Sequence, residues 1–325
     1  MCLQFKRSKM KKISIIVPCF NESTGLLAFI DELVKFINSF DLYAFEVIFV
    51  DDGSSDNSFI ILNDMSKHHQ WITVLSFTRN FGKEAALTAG LDYASGDAIV
   101  FMDADLQHPF DVVRLFIQYW EQGEKVVVGK RTNRKADSII YKIFAETFYF
   151  LHNKISDTKL PENVGDFRLV DSEVANQLKR LHENRRFMKG LFAWLGYSPV
   201  YVEYTVAPRV HGVSKFSKLK SWNFALEGIT SFSTIPLVMW SYLGGMVFVL
   251  GVIYSIVILL NAIIYGVVTP GYVTLLTAIV TFGGVQLIGI GVLGEYIGRI
   301  YLEVKKRPHY LINKVINHDL IDKIR

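Results

Sequence analysis

Charge is missing from one long part of this sequence. From Gly228 to Gly294 there is no Asp, Glu, Lys, Arg or His, although Asp, Glu, Lys and Arg make up 20% of the 325 residues. That absence excludes an ordinary water-facing surface over the stretch and points to a bilayer. Cysteine is almost as scarce: only Cys2 and Cys19 occur, and Cys19 lies in a run that reads as the first strand. Neither a disulfide framework nor a zinc site is expected, and the catalytic part reads as cytosolic. The opening residues 1–12 read as a basic tail rather than a secretory leader, because Ile13–Val17 is cut by Pro18 before it reaches the length of a signal core. The eight histidines show no ligand spacing, and a net charge of +4 gives no reason to expect nucleic acid as a partner.

What is present reads as α/β. Residues 13–130 alternate short β-rich runs with helix-like segments, the pattern of a parallel sheet with helices on its faces. Strands are expected at Ile13–Val17, Glu46–Val50, Ile72–Ser76, Ala98–Met102 and Lys125–Gly129, with helices at Gly25–Phe40, Asp56–Lys67, Lys83–Tyr93 and Pro109–Gln122. Residues 131–210 mix the two signals and set no boundaries.

The charge-free stretch divides at Asn261–Tyr272, where Gly266, Thr269, Pro270 and Gly271 predict a turn. The remaining runs, 235–260 and 273–297, each exceed the about 20 residues that cross a bilayer. Lys215, Lys218 and Lys220 precede them and Arg299, Lys305, Lys306 and Arg307 follow, while the loop between carries no Lys or Arg. The expectation is a hairpin with both ends in the cytoplasm. Trp222, Ala225, Leu226, Ile229 and Phe232 recur at helical spacing beside lysines, which predicts an interfacial helix over 216–234; packing against the soluble domain is the competing reading. A C-terminal tail, 298–325, is expected on the cytoplasmic side.

Three polar clusters stand where expected strands stop. Asp103-Ala104-Asp105-Leu106-Gln107 follows the fourth, at the edge where open α/β sheets place their chemistry. Carboxylates so close repel unless a cation lies between them, and oxygen ligands beside a substrate phosphate suit Mg²⁺ or Mn²⁺. An Asp-rich turn capping the next helix is the plainer alternative. Asp51-Asp52-Gly53-Ser54-Ser55-Asp56 ends the second strand, where a carboxylate can accept the imide N–H of uracil and serines can cap a helix. Pro18-Cys19-Phe20-Asn21-Glu22 ends the first. Three such clusters on one sheet edge favour a metal–diphosphate site over a chance of solubility.

Together with Arg79-Asn80-Phe81-Gly82-Lys83-Glu84 and Val164-Gly165-Asp166-Phe167-Arg168-Leu169, these clusters stand in the order that resembles family 2 glycosyltransferases using a polyprenyl-phosphate acceptor. Within that family the chain is most similar to the bactoprenol glucosyltransferases of O-antigen modification, through Leu226–Thr234 and Gln286–Arg299 as well. The resemblance covers nearly all of 12–310. It implies a GT-A fold over 13–215, Rossmann-like with a mostly parallel sheet, followed by the two-helix transmembrane hairpin.

By the same resemblance, Asp52 would hold the base with Pro18 and Glu22 nearby, and Asp103 would lie by the ribose and the metal. Asp105 and Gln107 would be the more direct ligands of Mg²⁺ or Mn²⁺. Lys83 could reach the diphosphate, or be a solvated surface lysine. Asp166 would stand nearest the reacting centre, as a base or as a group steadying the oxocarbenium-like carbon, with Asp105 catalytic beside it; a carboxylate paired with Arg168 to hold a loop is the structural alternative. A dianionic acceptor needs cations, and Arg131, Arg134, Arg168 and Lys215 are the candidates. Related enzymes carry a serine before the Phe-Tyr pair that here is Phe148-Tyr149, but Ala145 stands at that position, so the contact falls to another residue such as Lys142. Glu295 and Arg299, four apart, read as a structural pair. Gly284, Gly291, Gly294 and Gly298 suggest close helix contacts and a homo-oligomer, with a tetramer among the options.

The implied reaction is an inverting transfer of a sugar, with UDP-glucose the best guess as donor, to polyprenyl (undecaprenyl) phosphate at the cytoplasmic face of a bacterial inner membrane. A processive polysaccharide synthase is the alternative enzyme, but two spans cannot enclose a polymer and Asn184–Met188 lacks a Gln-x-x-Arg-Trp element. A non-catalytic membrane scaffold is the alternative from another class; the presence of Asp105, Gln107 and Asp166 argues against it.

Overall fold

The computed structural model describes residues 10–132, 164–181, 183, 186–205 and 271–317, with single positions between Gly244 and Ile264. Its strands are β1 (Lys11–Cys19), β2 (Tyr43–Asp51), β3 (Ile72–Phe77), β4 (Ala98–Phe101), β5 (Val126–Arg131), β6 (Val164–Asp171), β7 (Val200–Tyr204) and β8 (Ile312–Ile316). Its helices are α1 (Leu26–Ile37), α2 (Ser58–His68), α3 (Lys83–Tyr93), α4 (Phe110–Glu121), α5 (Ser172–Lys179), α6 (Met188–Trp194) and α7 (Tyr272–Val304). The eight strands form one sheet in the order β7-β5-β6-β4-β1-β2-β3-β8. β1, β2, β3 and β4 are parallel, whereas β6 runs antiparallel between β4 and β5, and β8 antiparallel beside β3. The mostly parallel sheet expected from the alternating pattern is present.

Side-chain alternation along the strands divides the core in two. Ile13, Ile15 and Val17 of β1 pack with α1 and α4 on one face. Ile16 turns to the other and meets α3, α5 and α6. Helix α3 sits so close that a Cβ at Gly90 would come within 2.3 Å of Ile16 Cγ2, so a side chain there would push helix and strand apart. The chain moves outward from β1 to β2 to β3, then crosses back to lay β4 on the opposite side of β1. Neighbouring loops therefore leave in opposite directions at the carboxyl ends of β1 and β4, opening the crevice where doubly wound sheets bind ligands.

Most expected elements recur with shifted ends. Helix α2 starts at Ser58 rather than Asp56 because Asp56 Oδ1 accepts the Ser58 N–H, 2.9 Å, in a turn that precedes the N-cap Asn57. The C-terminal region departs further from expectation. The expected second span lies inside α7, which continues to Val304, and the segment read as a tail returns to the domain as β8. Among the described residues one helix is long and apolar enough to cross a membrane; the qualifying window is Val285–Val304, with none of it buried. Leu275, Ile279, Phe282, Leu287, Ile290 and Leu293 are exposed along α7. Met246, Leu250, Ile253, Val257 and Leu260 of the expected first span are helical and exposed, and so is Ile264 within the expected turn; most other residues of that span and turn, and the whole interfacial helix, lie outside the described residues.

Candidate active site

The first two loops at the carboxyl edge are stapled to each other. Asn21, in a left-handed conformation with φ +53, accepts the Ser55 N–H at 2.8 Å through Oδ1 and donates its own N–H to Ser54 Oγ at 2.9 Å. Glu22 N–H donates to Ser58 Oγ and Ser23 N–H to Asp56 Oδ2. Burial alone would raise the Asp56 carboxyl, but the bonds from Ser58 and Ser23 outweigh it and hold it at about 2. Asp51 is buried and accepts from Ser54 N–H and the Ser76 hydroxyl. Gly53 adopts φ +66, and a Cβ there would sit 2.5 Å from the Arg79 carbonyl carbon. Only glycine fits that turn.

Asp52 faces the third loop. Its Oδ1 accepts the N–H of Phe81 at 2.6 Å and its Oδ2 that of Gly82 at 2.9 Å. The side chain expected to hold a base is thus first the anchor of the Arg79–Lys83 segment. Burial pushes its carboxyl up, against the pull of those two amides.

The fourth loop is bent sharply. Asp105 Oδ1 accepts the Gln107 N–H at 3.1 Å, and Leu106 between them has φ +59, a conformation that is costly for a branched side chain. The Asp103 N–H donates to His108 Nδ1 at 3.1 Å, and the His108 ring stacks on Phe167 of β6 with centroids 4.3 Å apart. Burial holds the imidazole below its usual pKa despite Asp103 and Asp105. His108 therefore fixes the start of this loop from beneath.

Strand β6 supplies the last component. It sets Asp166 at the same edge, where Lys83 Nζ lies 2.6 Å from Asp103 Oδ1 and 3.0 Å from Asp166 Oδ2. One ammonium joins two carboxylates from different strands. Desolvation opposes the lysine's charge, yet Asp103 and Asp166 raise its pKa above the ordinary value. Desolvation would likewise raise Asp166, but Lys83, then Lys189 and Arg168, hold it well below the carboxylate range. Its Oδ1 is buried without a hydrogen-bond partner among the described residues.

The structure thus brings together Lys83, Asp103 and Asp166, with Asp105 and Gln107 on the same turn as Asp103. Pro18 and Glu22 stand across the crevice at the end of β1 and the loop after it. Arg131, at the end of β5, is held by Tyr204 through Nε at 3.3 Å and its charge reaches Asp103 and Asp105. Arg168, expected beside the acceptor, stands deeper than the others. It lies two residues deeper than Asp166 on the same strand face, 4% exposed, donating to the Gly165 carbonyl at 2.7 Å and stacking over Phe192 at 3.9 Å. There its charge faces Asp166 from below, while the ion pair of Asp166 is with Lys83. Burial lowers Arg168 to about 10, which leaves it charged at neutral pH. Arg134, Lys142, Ala145 and Lys215 lie outside the described residues.

Three residues without an assigned role belong to the site. His108 holds the Asp103 backbone. Glu84 accepts the Met188 N–H at 3.0 Å and lies beside Asp166; burial and then that neighbour push its carboxyl up to about 7. That bond ties the start of α6 to the start of α3, and so carries Lys189 near Asp166. The basic cluster Arg185-Arg186-Phe187-Met188-Lys189 was the available sequence signal, but nothing local says which strand it faces.

Oxygen donors suited to a hard divalent cation therefore gather around Asp103. The ammonium of Lys83 between Asp103 and Asp166 shows that the pair takes up positive charge. Among the described residues no three His, Cys, Asp or Glu side chains form a ready-made metal nest. A metal here would depend on the Gln107 amide oxygen and on donor phosphate oxygens beside the carboxylates, which is how Mg²⁺ is commonly held. The residues fit such a metal.

Residues 14–179 match the model of the family described as glycosyl transferase family 2. An SfII prophage-derived bactoprenol glucosyl transferase of Shigella flexneri is 48% identical over 93% of this chain and 98% of its own length. A prophage bactoprenol glucosyl transferase homolog of Escherichia coli K12 is 47% identical over 94% of this chain and 99% of its own. Among solved structures, glucosyl-3-phosphoglycerate synthase from Mycobacterium tuberculosis, in complex with Mn²⁺, UDP-glucose and phosphoglyceric acid, is 20% identical with a TM-score of 0.48, covering 68% of this chain and 79% of that one. A likeness of that order transfers no ligand.

Proposed function

The chain belongs to glycosyl transferase family 2, and from that membership we propose that it transfers glucose from UDP-glucose to polyprenyl phosphate, with inversion, at the cytoplasmic face of a bacterial inner membrane. The observation that carries the chemistry is the meeting of Asp103 and Asp166 on Lys83 at the switch point of the sheet. The sugar and the lipid are supported by the names of relatives matched over nearly their whole length.

In this reading the stapled β1 and β2 loops receive the nucleoside, with Pro18 and Glu22 at its edge. A carboxylate has about four acceptor positions, and the loop amides leave Asp52 room to take a uracil imide N–H. Lys83 faces the diphosphate. A phosphate oxygen of the acceptor attacks the anomeric carbon, the bond from that carbon to the diphosphate oxygen breaks, and its electron pair leaves with the nucleoside diphosphate. Asp103, Asp105 and Gln107 would hold Mg²⁺ or Mn²⁺, which supplies Lewis-acid charge to that leaving group. Asp166, kept ionised by Lys83, Lys189 and Arg168, is a poor proton acceptor at neutral pH. It acts by charge, beside the carbon that becomes oxocarbenium-like. No strong base is required, since a phosphate monoester with second pKa of about 6 is already mostly ionised. Arg131 and Lys189, joined by Arg134 and Lys215, would balance the acceptor.

The two apolar segments are proposed as a hairpin that keeps the site at the headgroups, in a homo-oligomer. The pairing of β8 with β3 supports the sidedness, because it puts the C-terminal end of α7 on the same side as the catalytic sheet. The test is direct: purified full-length protein with labelled UDP-glucose, undecaprenyl phosphate and Mg²⁺ should form a labelled glycolipid, EDTA should abolish it, and Mg²⁺ or Mn²⁺ should restore it. No glycolipid with any common nucleotide-sugar would reject the reading.

A further inference from the structure

We infer that Tyr310 is a positioning residue for the Arg79–Lys83 loop, so that the strand following the long helix holds the donor side of the site in place. The loop has little regular bonding of its own. Phe81 and Gly82 give their N–H groups to Asp52. Thr78, the first residue beyond β3, gives its N–H to the Leu311 carbonyl at 3.0 Å, so the loop leaves the sheet under the control of β8. The ladder slips between Ser76 and Phe77, just where the chain turns away.

Tyr310 packs against the end of the strand from which the loop departs. Its ring stacks on Phe77 with centroids 5.2 Å apart and planes at 10°, and Phe77 in turn meets Phe81 edge-on at 5.7 Å. The guanidinium of Arg79 lies over the same Phe81 ring at 4.2 Å. The Tyr310 hydroxyl donates to Asp92 Oδ2 at 2.9 Å, near the far end of the helix that Lys83 begins. One side chain thus touches the end of β3, from which the loop departs, and the far end of α3, the helix whose first residue is Lys83. The strand itself is pinned beyond: the Asn317 amide donates to the Ser66 carbonyl and the Thr73 hydroxyl to the Asn317 carbonyl. Covering an edge strand needs only backbone pairing. The ring stack and the hydroxyl bond do something additional, which is to fix where the loop goes.

The consequence for donor binding rests on the proposed placement of Lys83 at the diphosphate, and the experiment separates the two. In full-length protein, Tyr310→Ala should speed amide exchange at Phe81 and Gly82 while β1, β2 and β4 keep their protection. It should raise the donor KM roughly three- to ten-fold, the scale of one lost aromatic pair, and leave the acceptor KM unchanged. Tyr310→Phe, which keeps the stack, should restore most of both effects. Should Tyr310→Ala lose protection throughout the sheet, Tyr310→Leu, which fills the space without a flat ring, makes the same comparison. Unchanged exchange at Phe81 and Gly82 overturns the inference, as does an equal rise in both KM values. Faster exchange there with a normal donor KM upholds the positioning and instead removes the loop from donor binding.

Discussion

The loops after β1 and β2 are closed upon themselves, whereas the loops after β4 and before the body of β6 are left open to a cation. In the first pair, Asn21, Ser54, Asp56 and Ser58 exchange hydrogen bonds until the shape is complete. In the second, Leu106 is held at positive φ, Asp166 Oδ1 has no hydrogen-bond partner among the described residues, and two carboxylates share one ammonium, that of Lys83. The contrast separates a rim whose polar groups satisfy one another from a centre that concentrates negative charge around one ammonium. Left-handed backbone occurs on both sides, at Asn21 and at Leu106, but at Asn21 the side chain and amide are satisfied by the neighbouring loop.

The largest effect should come from the open side. Asp105→Ala is expected to lower turnover by about 10³ while the melting temperature stays within a few degrees, as is typical when a preorganised electrostatic group is removed. Unchanged turnover would reject the metal assignment. Lys83→Met should reduce kcat/KM by about 10² and leave Asp103 and Asp166 facing each other without their ammonium. Added Mg²⁺ should then raise the melting temperature of the variant more than that of the wild type, because the ion replaces a lost charge. An equal or smaller rise would mean that the two carboxylates are not part of one cation site.

Glu84 gives a signature in pH. Its folded pKa of about 7 lies above the ordinary 4.5, so between those values the folded protein keeps a proton that the unfolded chain has released, and stability falls as pH rises through the window. Glu84→Gln removes that slope. Its stability gain over wild type should grow from pH 4.5 to 7, reaching a few kcal/mol at most at about 1.4 kcal/mol per pKa unit, and level off above. Parallel stability curves would show the carboxyl to be ordinary.

The smallest effect on turnover should come from the closed side. Asp56→Ala should cost about 1–2 kcal/mol of stability at neutral pH, because it removes the hydrogen bonds accepted from the Ser58 and Ser23 amides, and leave turnover nearly as it was. Because the folded pKa of about 2 lies below the ordinary 3.8, that contribution is present above pH 3.8 and disappears as pH falls through about 2. A loss of turnover as large as that of Asp105→Ala would erase the distinction between rim and centre.

The alternating runs of residues 13–130 by themselves determined β1 to β5 and the helices between them, since a parallel βα unit is written in local periodicity and its polar loop must follow the strand. The cluster at Asp103–Gln107 and the uncharged stretch after Glu227 were legible for the same reason: composition alone separates them from their neighbours. Partnership across the chain was not. Whether Arg168 reaches the crevice or the core depends on how far β6 slides along β4, and a strand that alternates faces every residue carries Asp166 and Arg168 to the same side at different depths. Only the tertiary structure decided that Lys83 joins Asp103 to Asp166, that Glu84 ties α3 to α6, and that residues 312–316 complete the sheet rather than trail from a membrane helix. Local sequence sets local conformation, but a register between distant segments is chosen by the packing of the whole core.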